Sequence, residues 1–262
     1  MKYKQAFFLV LVILSLMTIS CTSTNDELLN EQLSDDSFSK VQERGKLIVG
    51  TNIPYEPMEF LDENGEFAGI DVDVAREIAL RLNLEIEFVN YGWDELFVAV
   101  KAGEVDFAIS SITITDERSQ EMLFSIPYFN AGQVIVVSAE DESVLTPEDL
   151  LGKKVGVQMD TTSYDEAVKY AGESLVLSYE DYDLATVALL NDNLSAIIID
   201  YIAGLELVKN NPSLKVVGTP FTQEFYGLAS MKENNLLMNE VNQVLGTMIW
   251  GKQIEEITNK WI

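Results

Sequence analysis

The chain has 262 residues, 47% of them hydrophobic and 23% charged, which suits one large or two modest globular domains with a substantial core. Its 43 acidic residues against 17 basic ones give a formal net charge of −26. That excludes nucleic acid as a partner, because phosphates need a basic face, and it disfavours adsorption to anionic lipid. Histidine is absent and cysteine occurs once, which excludes Ser-His-Asp and Cys-His catalysis, histidine-containing zinc sites and an intramolecular disulfide.

At the N-terminus, Lys2 and Lys4 precede an unbroken apolar stretch from Ala6 to Leu14, then Ser15 to Ser20 and Cys21. A basic start, a short apolar region and a small residue before the cleavage point predict a secretory signal over residues 1–20. The stretch is short for a membrane span. Its end resembles the lipobox of bacterial lipoproteins, in which the cysteine becomes the lipid-bearing N-terminus; Thr18 stands where leucine is usual, and Ser20 fits. The alternative is an ordinary signal with a chance cysteine. With Cys21 lipidated, the protein is extracytoplasmic and anchored to a bacterial membrane. Residues 21–43 are polar and acidic without a core pattern, and read as a flexible tether.

From residue 44 the pattern alternates strand and helix. Lys46 to Thr51 reads as a strand, and the Asp-Glu-Asn-Gly run at 62–65 as a hairpin turn. Asp71 reads as the cap of a helix with Val74, Ala75, Ile78, Ala79 and Leu82 on one face, and Glu85 to Val89 as a strand. Asp94 is expected to cap a helix that turns Phe97 and Val100 inward and stops at Gly103. Asp106 to Ile112 follows as a strand. A second set begins near Leu150, with strands at 155–158, 175–178 and 196–200 and helices at 162–171 and 184–190. Residues 233–260 read as two closing helices with a turn near Gly251 and Lys252. The succession predicts an α/β fold with two sheets. No metal or cofactor signature appears, and acids such as Asp71 and Asp73 read as helix-start residues.

The segment Ser110 to Arg118 follows the apolar run that ends at Ile109. Hydroxyls and free backbone groups at a strand end, with a guanidinium a few residues on, suit a small carboxylate: Arg118 is a bidentate fork, and Ser111 and Thr113 complete the shell. The alternative is a helix capped by Thr115 or Asp116, with Arg118 in solvent.

The distributed motifs resemble one family along nearly all of residues 44–262. They are Lys46 to Thr51, Pro54 to Phe60, Gly69 to Ala75, Trp93-Asp94, Val105-Asp106 and Ile112 to Arg118. Phe124-Ser125, Pro127-Tyr128, Asp149 to Gln158, Tyr226-Gly227 and Lys260-Trp261 complete them. In this order they resemble the extracellular solute-binding proteins of bacterial polar amino-acid ABC importers. The resemblance implies a two-lobed, periplasmic-binding-protein-like α/β fold whose lobes are joined by two crossing strands, near Tyr128–Gln133 and Thr222–Tyr226. Lobe I then comprises 44–130 and 226–262, and lobe II 131–225. The ligand sits in the cleft between them, and closure is a hinge motion.

By the same resemblance Arg118 pairs with the ligand α-carboxylate and Asp200 receives its α-ammonium. A cap for the following helix is the other reading of Asp200, although a carboxylate ending an apolar strand needs a partner or a function. Ser111 and Thr113 add head-group contacts, and Thr162 opens a helix whose N-terminus favours a carboxylate. Tyr55 and Trp93 sandwich the ligand's side chain, and Asn52, Gln158 and Ser110 face it; Glu56 is a further acid beside Tyr55. Asp160 stands where the family usually has glycine. The implied function is high-affinity binding of a polar amino acid, neutral or cationic, and its delivery to an ABC importer permease by a monomeric protein that is not an enzyme. The alternatives are an extracytoplasmic cyclohexadienyl or arogenate dehydratase-like enzyme, with Asp160 or Glu56 as general acid, and an amino-acid sensing module.

Overall fold

The computed structural model describes residues 35–262; the signal expected over 1–20, Cys21 and the expected tether up to residue 34 lie outside them. In chain order the first elements are α1 (Ser37–Arg44), β1 (Lys46–Thr51), β2 (Phe60–Leu61), β3 (Phe67–Ala68), α2 (Ile70–Arg81) and β4 (Glu85–Asn90). They are followed by α3 (Trp93–Ala102), β5 (Phe107–Ala108), α4 (Asp116–Glu121), β6 (Leu123–Phe124), β7 (Phe129–Ala131) and β8 (Gln133–Ser138). Next come β9 (Val155–Gln158), α5 (Thr162–Ala171), β10 (Val176–Tyr179), α6 (Tyr182–Leu190), β11 (Ala196–Asp200), α7 (Tyr201–Asn210) and β12 (Leu214–Val217). The chain closes with β13 (Glu224–Tyr226), β14 (Ala229–Ser230), α8 (Asn235–Trp250) and α9 (Gln253–Trp261).

Two five-stranded mixed sheets organise these elements into two lobes. The first has the order β4-β1-β5-β14-β6, with β1 parallel to β4 and β5, and β14 antiparallel to its neighbours. The second has the order β10-β9-β11-β8-β12, with β9 parallel to β10 and β11, and β8 antiparallel to β11 and β12. Between them, β7 and β13 pair antiparallel with Glu224 opposite Ala131 and Tyr226 opposite Phe129. These are the two crossings.

The central strands of the second sheet are continuous apolar runs because both of their faces are covered. Val134, Val136, Ile197 and Ile199 pack on one side with Tyr182 and Leu189, whereas Ile135, Val137 and Ile198 pack on the other with Val155 and Ala167. This is the period-2 alternation of a pleated strand. In the first lobe, Leu47, Val49 and Phe107 join Ile70, Val74 and Ile78 of α2 and Val241 and Leu245 of α8 in one core.

Several local expectations are corrected. Residues 37–43, assigned to the tether, form most of α1. Val41 is buried against the first core, and Ser37 Oγ accepts the Leu237 N–H at 3.1 Å. α3 is capped by Gly92, not Asp94, and Glu95 reaches back to accept the Gly92 N–H at 3.0 Å. The strand expected over 106–112 is regular only at Phe107–Ala108, since Ser111 takes a left-handed φ of 52°. Asp71 is not a cap: α2 begins after Gly69, and the Asp71 side chain is fully buried. Gly69 has a φ of 123°, and a Cβ there would lie 2.2 Å from the Met58 carbonyl, so only glycine lets the two segments cross.

Candidate functional site

β1, β5, β9 and β11 bring side chains to the cleft where both sheets end. A cavity of about 30 Å³ lies there, and all ten expected residues line it: Asn52, Tyr55, Trp93, Ser110, Ser111, Thr113, Arg118, Gln158, Thr162 and Asp200. The sequence reasoning missed four others, Glu59, Thr161, Ser163 and Tyr182. Glu56 and Asp160 face outward instead, into clefts on either side of the cavity.

Arg118 sits in the first turn of α4, where Thr115 caps the helix and accepts the Arg118 N–H at 3.1 Å. Its guanidinium is not left to solvent. It donates to the carbonyls of Thr113 at 3.0 Å and Asp160 at 3.3 Å, and lies over the Trp93 and Phe97 rings at 5.4 and 5.1 Å. No carboxylate forms an ion pair with it among the described residues. Burial lowers its pKa, opposed by the charges of Glu224 and Asp200.

Asp200 stands at the cap position of α7, but its side chain makes no capping bond. It turns into the cleft. One oxygen accepts from the Tyr55 hydroxyl at 2.9 Å and from the Tyr226 hydroxyl, and the other accepts from Gln133 Nε2 at 2.5 Å. Burial, and then the nearby Glu224 charge, raise its pKa to about 7. Gln133 is itself fixed, because Ser163 donates to its carbonyl at 2.7 Å and Tyr182 donates to Ser163 at 3.0 Å.

Beside this pair lies a buried acid cluster. Glu59 accepts from Ser110 Oγ at 2.8 Å and Ser111 Oγ at 3.4 Å, whereas Asp71 accepts from the Ser111 N–H at 2.7 Å and the Tyr128 hydroxyl at 2.6 Å. Burial and then Asp71 push the Glu59 pKa well above the carboxylate range, and burial raises Asp71 to about 6. Burial and mutual repulsion thus disfavour ionising both carboxyls of the pair at once. Ser110 Oγ in turn accepts the Asn52 N–H at 2.9 Å, which ties the cluster to the cavity wall.

Contacts across the cleft include Tyr55 to Asp200, Gln158 Nε2 to Asn52 Oδ1 at 3.3 Å, Trp93 Nε1 to the Asp160 carbonyl at 3.0 Å, and Arg118 to that same carbonyl. The cleft is thus closed. Asp160 has a left-handed φ of 54°, the conformation that glycine adopts most readily, and its carbonyl rather than its carboxylate meets the other lobe. The Thr113 and Thr162 N–H groups have no acceptor among the described residues, Thr162 because it opens α5. Opposite fixed charges and free N–H donors around one small cavity suit a zwitterion. Among the described residues no cluster of metal-ligating side chains occurs, and no helix is long and apolar enough to cross a membrane.

Known proteins share this architecture. The L-cystine-binding protein TcyJ of Escherichia coli (strain K12) is 32% identical over 227 residues, covering 86% of this chain and 85% of the relative. The arginine-, lysine-, histidine-binding protein ArtJ from Geobacillus stearothermophilus is 38% identical with a TM-score of 0.78, covering 83% of this chain and 95% of that one. The ancestral amino acid-binding protein AncCDT-1, a precursor of cyclohexadienyl dehydratase, is 32% identical with a TM-score of 0.81, covering 86% of this chain and 99% of that one. The family model of the bacterial extracellular solute-binding proteins, family 3, matches residues 47–262, and the chain belongs to that family.

Proposed function

We propose that this protein captures one polar amino acid in the interlobe cleft and delivers it to the permease of an ABC importer. The observation that carries this reading is the pair of opposed groups in one cavity: the Arg118 guanidinium, which has no carboxylate ion-pair partner among the described residues, and the buried Asp200 carboxyl. Arg118 and the N–H groups of Thr113 and Thr162 bind the α-carboxylate, and Asp200 binds the α-ammonium. Tyr55, Trp93, Asn52, Ser110 and Gln158 surround the side chain. Each head-group charge meets its opposite in a site screened from water, where pairing counts for more than at the surface.

The site is acidic in sum. Against the single cation of Arg118 stand the carboxyls of Asp200 and Glu224 and the buried Glu59–Asp71 pair. That excess favours a cationic side chain over a neutral one and rejects an acidic one. Lobe I, residues 44–130 and 226–262, holds the half-site around Arg118, and lobe II, residues 131–225, closes on it with Gln158, Thr162 and Asp200. A lipid on Cys21 holds the monomer at the outer face of the membrane.

Binding rather than catalysis is supported by the position of the acids. Glu56 and Asp160 do not line the cavity, and Glu59, which does, is engaged by two serine hydroxyls. Titration calorimetry of the purified protein against the twenty amino acids, ornithine and cystine tests the proposal. One or a few ligands bind tightly, and analogues lacking the carboxylate or the amine fail. A folded sample that binds none of them, or that turns over prephenate or arogenate, overturns it.

A further inference from the structure

Glu224 was not among the residues singled out by sequence, and it does not line the cavity. It begins β13, one of the two strands that cross between the lobes, and it is buried. No lysine or arginine forms an ion pair with it among the described residues. Hydroxyls hold it instead. Thr113 Oγ1 and Thr162 Oγ1 each donate to Glu224 Oε2 at 2.8 Å, and Thr222 Oγ1 donates to Oε1 at 3.1 Å.

Thr113 follows β5 in the first lobe, and Thr162 opens α5 in the second. A single carboxylate oxygen carried by the hinge therefore binds one hydroxyl from each lobe. A hydroxyl has only one hydrogen, so both are committed here, in the charge-assisted bonds that are stronger than neutral ones. Opening the cleft moves Thr162 away from Thr113, and one of the two bonds must then break.

We propose that Glu224 is a closure latch: a positioning residue that sets the open–closed balance of the cleft by joining Thr113 and Thr162 through one oxygen. Its role in ligand capture rests on the amino-acid reading above, but the latch itself acts without ligand. It also divides the work of the two threonines. Their hydroxyls face Glu224, so they meet the ligand carboxylate through backbone N–H groups.

Small-angle X-ray scattering of the ligand-free protein tests this, comparing wild type with Glu224→Ala, Thr162→Val and the double variant. Each single change lowers the closed-to-open ratio roughly tenfold, as loss of a hydrogen bond to a charged group does, and the radius of gyration rises. The double variant shows little further change, because both substitutions remove the same contact. Unchanged scattering in both singles, or fully additive effects in the double, overturns the latch. Should Glu224→Ala fail to fold, Thr162→Val decides alone, since it removes a hydroxyl and keeps the shape. The readout needs no ligand, so failure of the wild type to bind any amino acid would sink the proposed function and leave this result standing.

Discussion

The Tyr55 hydroxyl donates to Asp200 at 2.9 Å across a sequence separation of 145 residues, joining the loop after β1 in one lobe to the end of β11 in the other. The same phenol ring packs 5.8 Å from Tyr182. Tyr55 thus both lines the cavity and steadies the carboxyl to which the proposed function assigns the ligand amine. Replacing Tyr55 with Phe keeps the ring and removes the donor. Affinity is expected to fall about tenfold, in the range for a hydrogen bond to a charged group, with heat capacity change little altered. Calorimetry checks it, and wild-type affinity would show that the bond is dispensable.

Arg118→Ala and Asp200→Ala are expected to weaken ligand binding by about 3–5 kcal/mol each, because the opposite ligand charge stays buried without a partner. The same variants should lose discrimination against analogues lacking the matching group. A binding isotherm near that of wild type for either variant contradicts the head-group assignment.

The pKa of about 7 at Asp200 makes both stability and binding depend on pH. The folded-state value lies above the unfolded one, so the native protein binds more protons and loses stability as pH rises from about 4 to about 7. The loss is roughly 4 kcal/mol at most. Ligand affinity moves the other way, since the ammonium needs an ionised Asp200. It increases with pH up to about 7 and then levels, and binding below that pH releases a proton. Calorimetry in buffers of different ionisation enthalpy measures the release, and Asp200→Asn should remove the share that comes from Asp200. The Glu59–Asp71 pair adds its own dependence near pH 6, and that part survives in the variant.

The acid excess around Arg118 ranks ligands. Arginine is expected to bind at least about tenfold more tightly than citrulline, its neutral near-isostere, and glutamate not measurably, because one unpaired buried charge costs several kcal/mol. Competition titration settles the order. Citrulline equal to arginine would mean that the acids of the wall do not reach the side chain.

At Asp160, substitution by glycine is expected to stabilise the fold by up to about 1 kcal/mol, since it relieves a left-handed non-glycine residue and removes a carboxylate facing Asp94. The carbonyl contacts with Trp93 and Arg118 are backbone-borne and remain. Denaturant unfolding reads the change, and lower stability in Asp160→Gly would assign the carboxylate a structural partner.

Much of this architecture is written locally. The apolar run Ala196 to Ile199 announces a strand covered on both faces, Thr162 to Ala171 reads as the helix it forms, and Gly103 stops α3 with a φ of 69°. Strand ends that carry Ser111 and Asp200, and a cap that presents Arg118, follow from the same short-range periodicities. The hydrogen-bonding and charge roles of Glu59, Asp71, Tyr182 and Glu224 were not legible in this way. Asp71 has the spacing of a helix-start residue yet is fully buried, accepting from the Ser111 N–H and the Tyr128 hydroxyl. Glu59 and Glu224 sit among mixed neighbours and meet their partners 51 and 111 residues away, at Ser110 and Thr113. Periodicity reports which face of an element is apolar. Whether a carboxyl on that element is solvated, protonated or bound to a distant hydroxyl depends on what the folded chain places beside it, so the sequence by itself determined the scaffold and its opposed charges, and only the tertiary structure decided the buried polar network that tunes them.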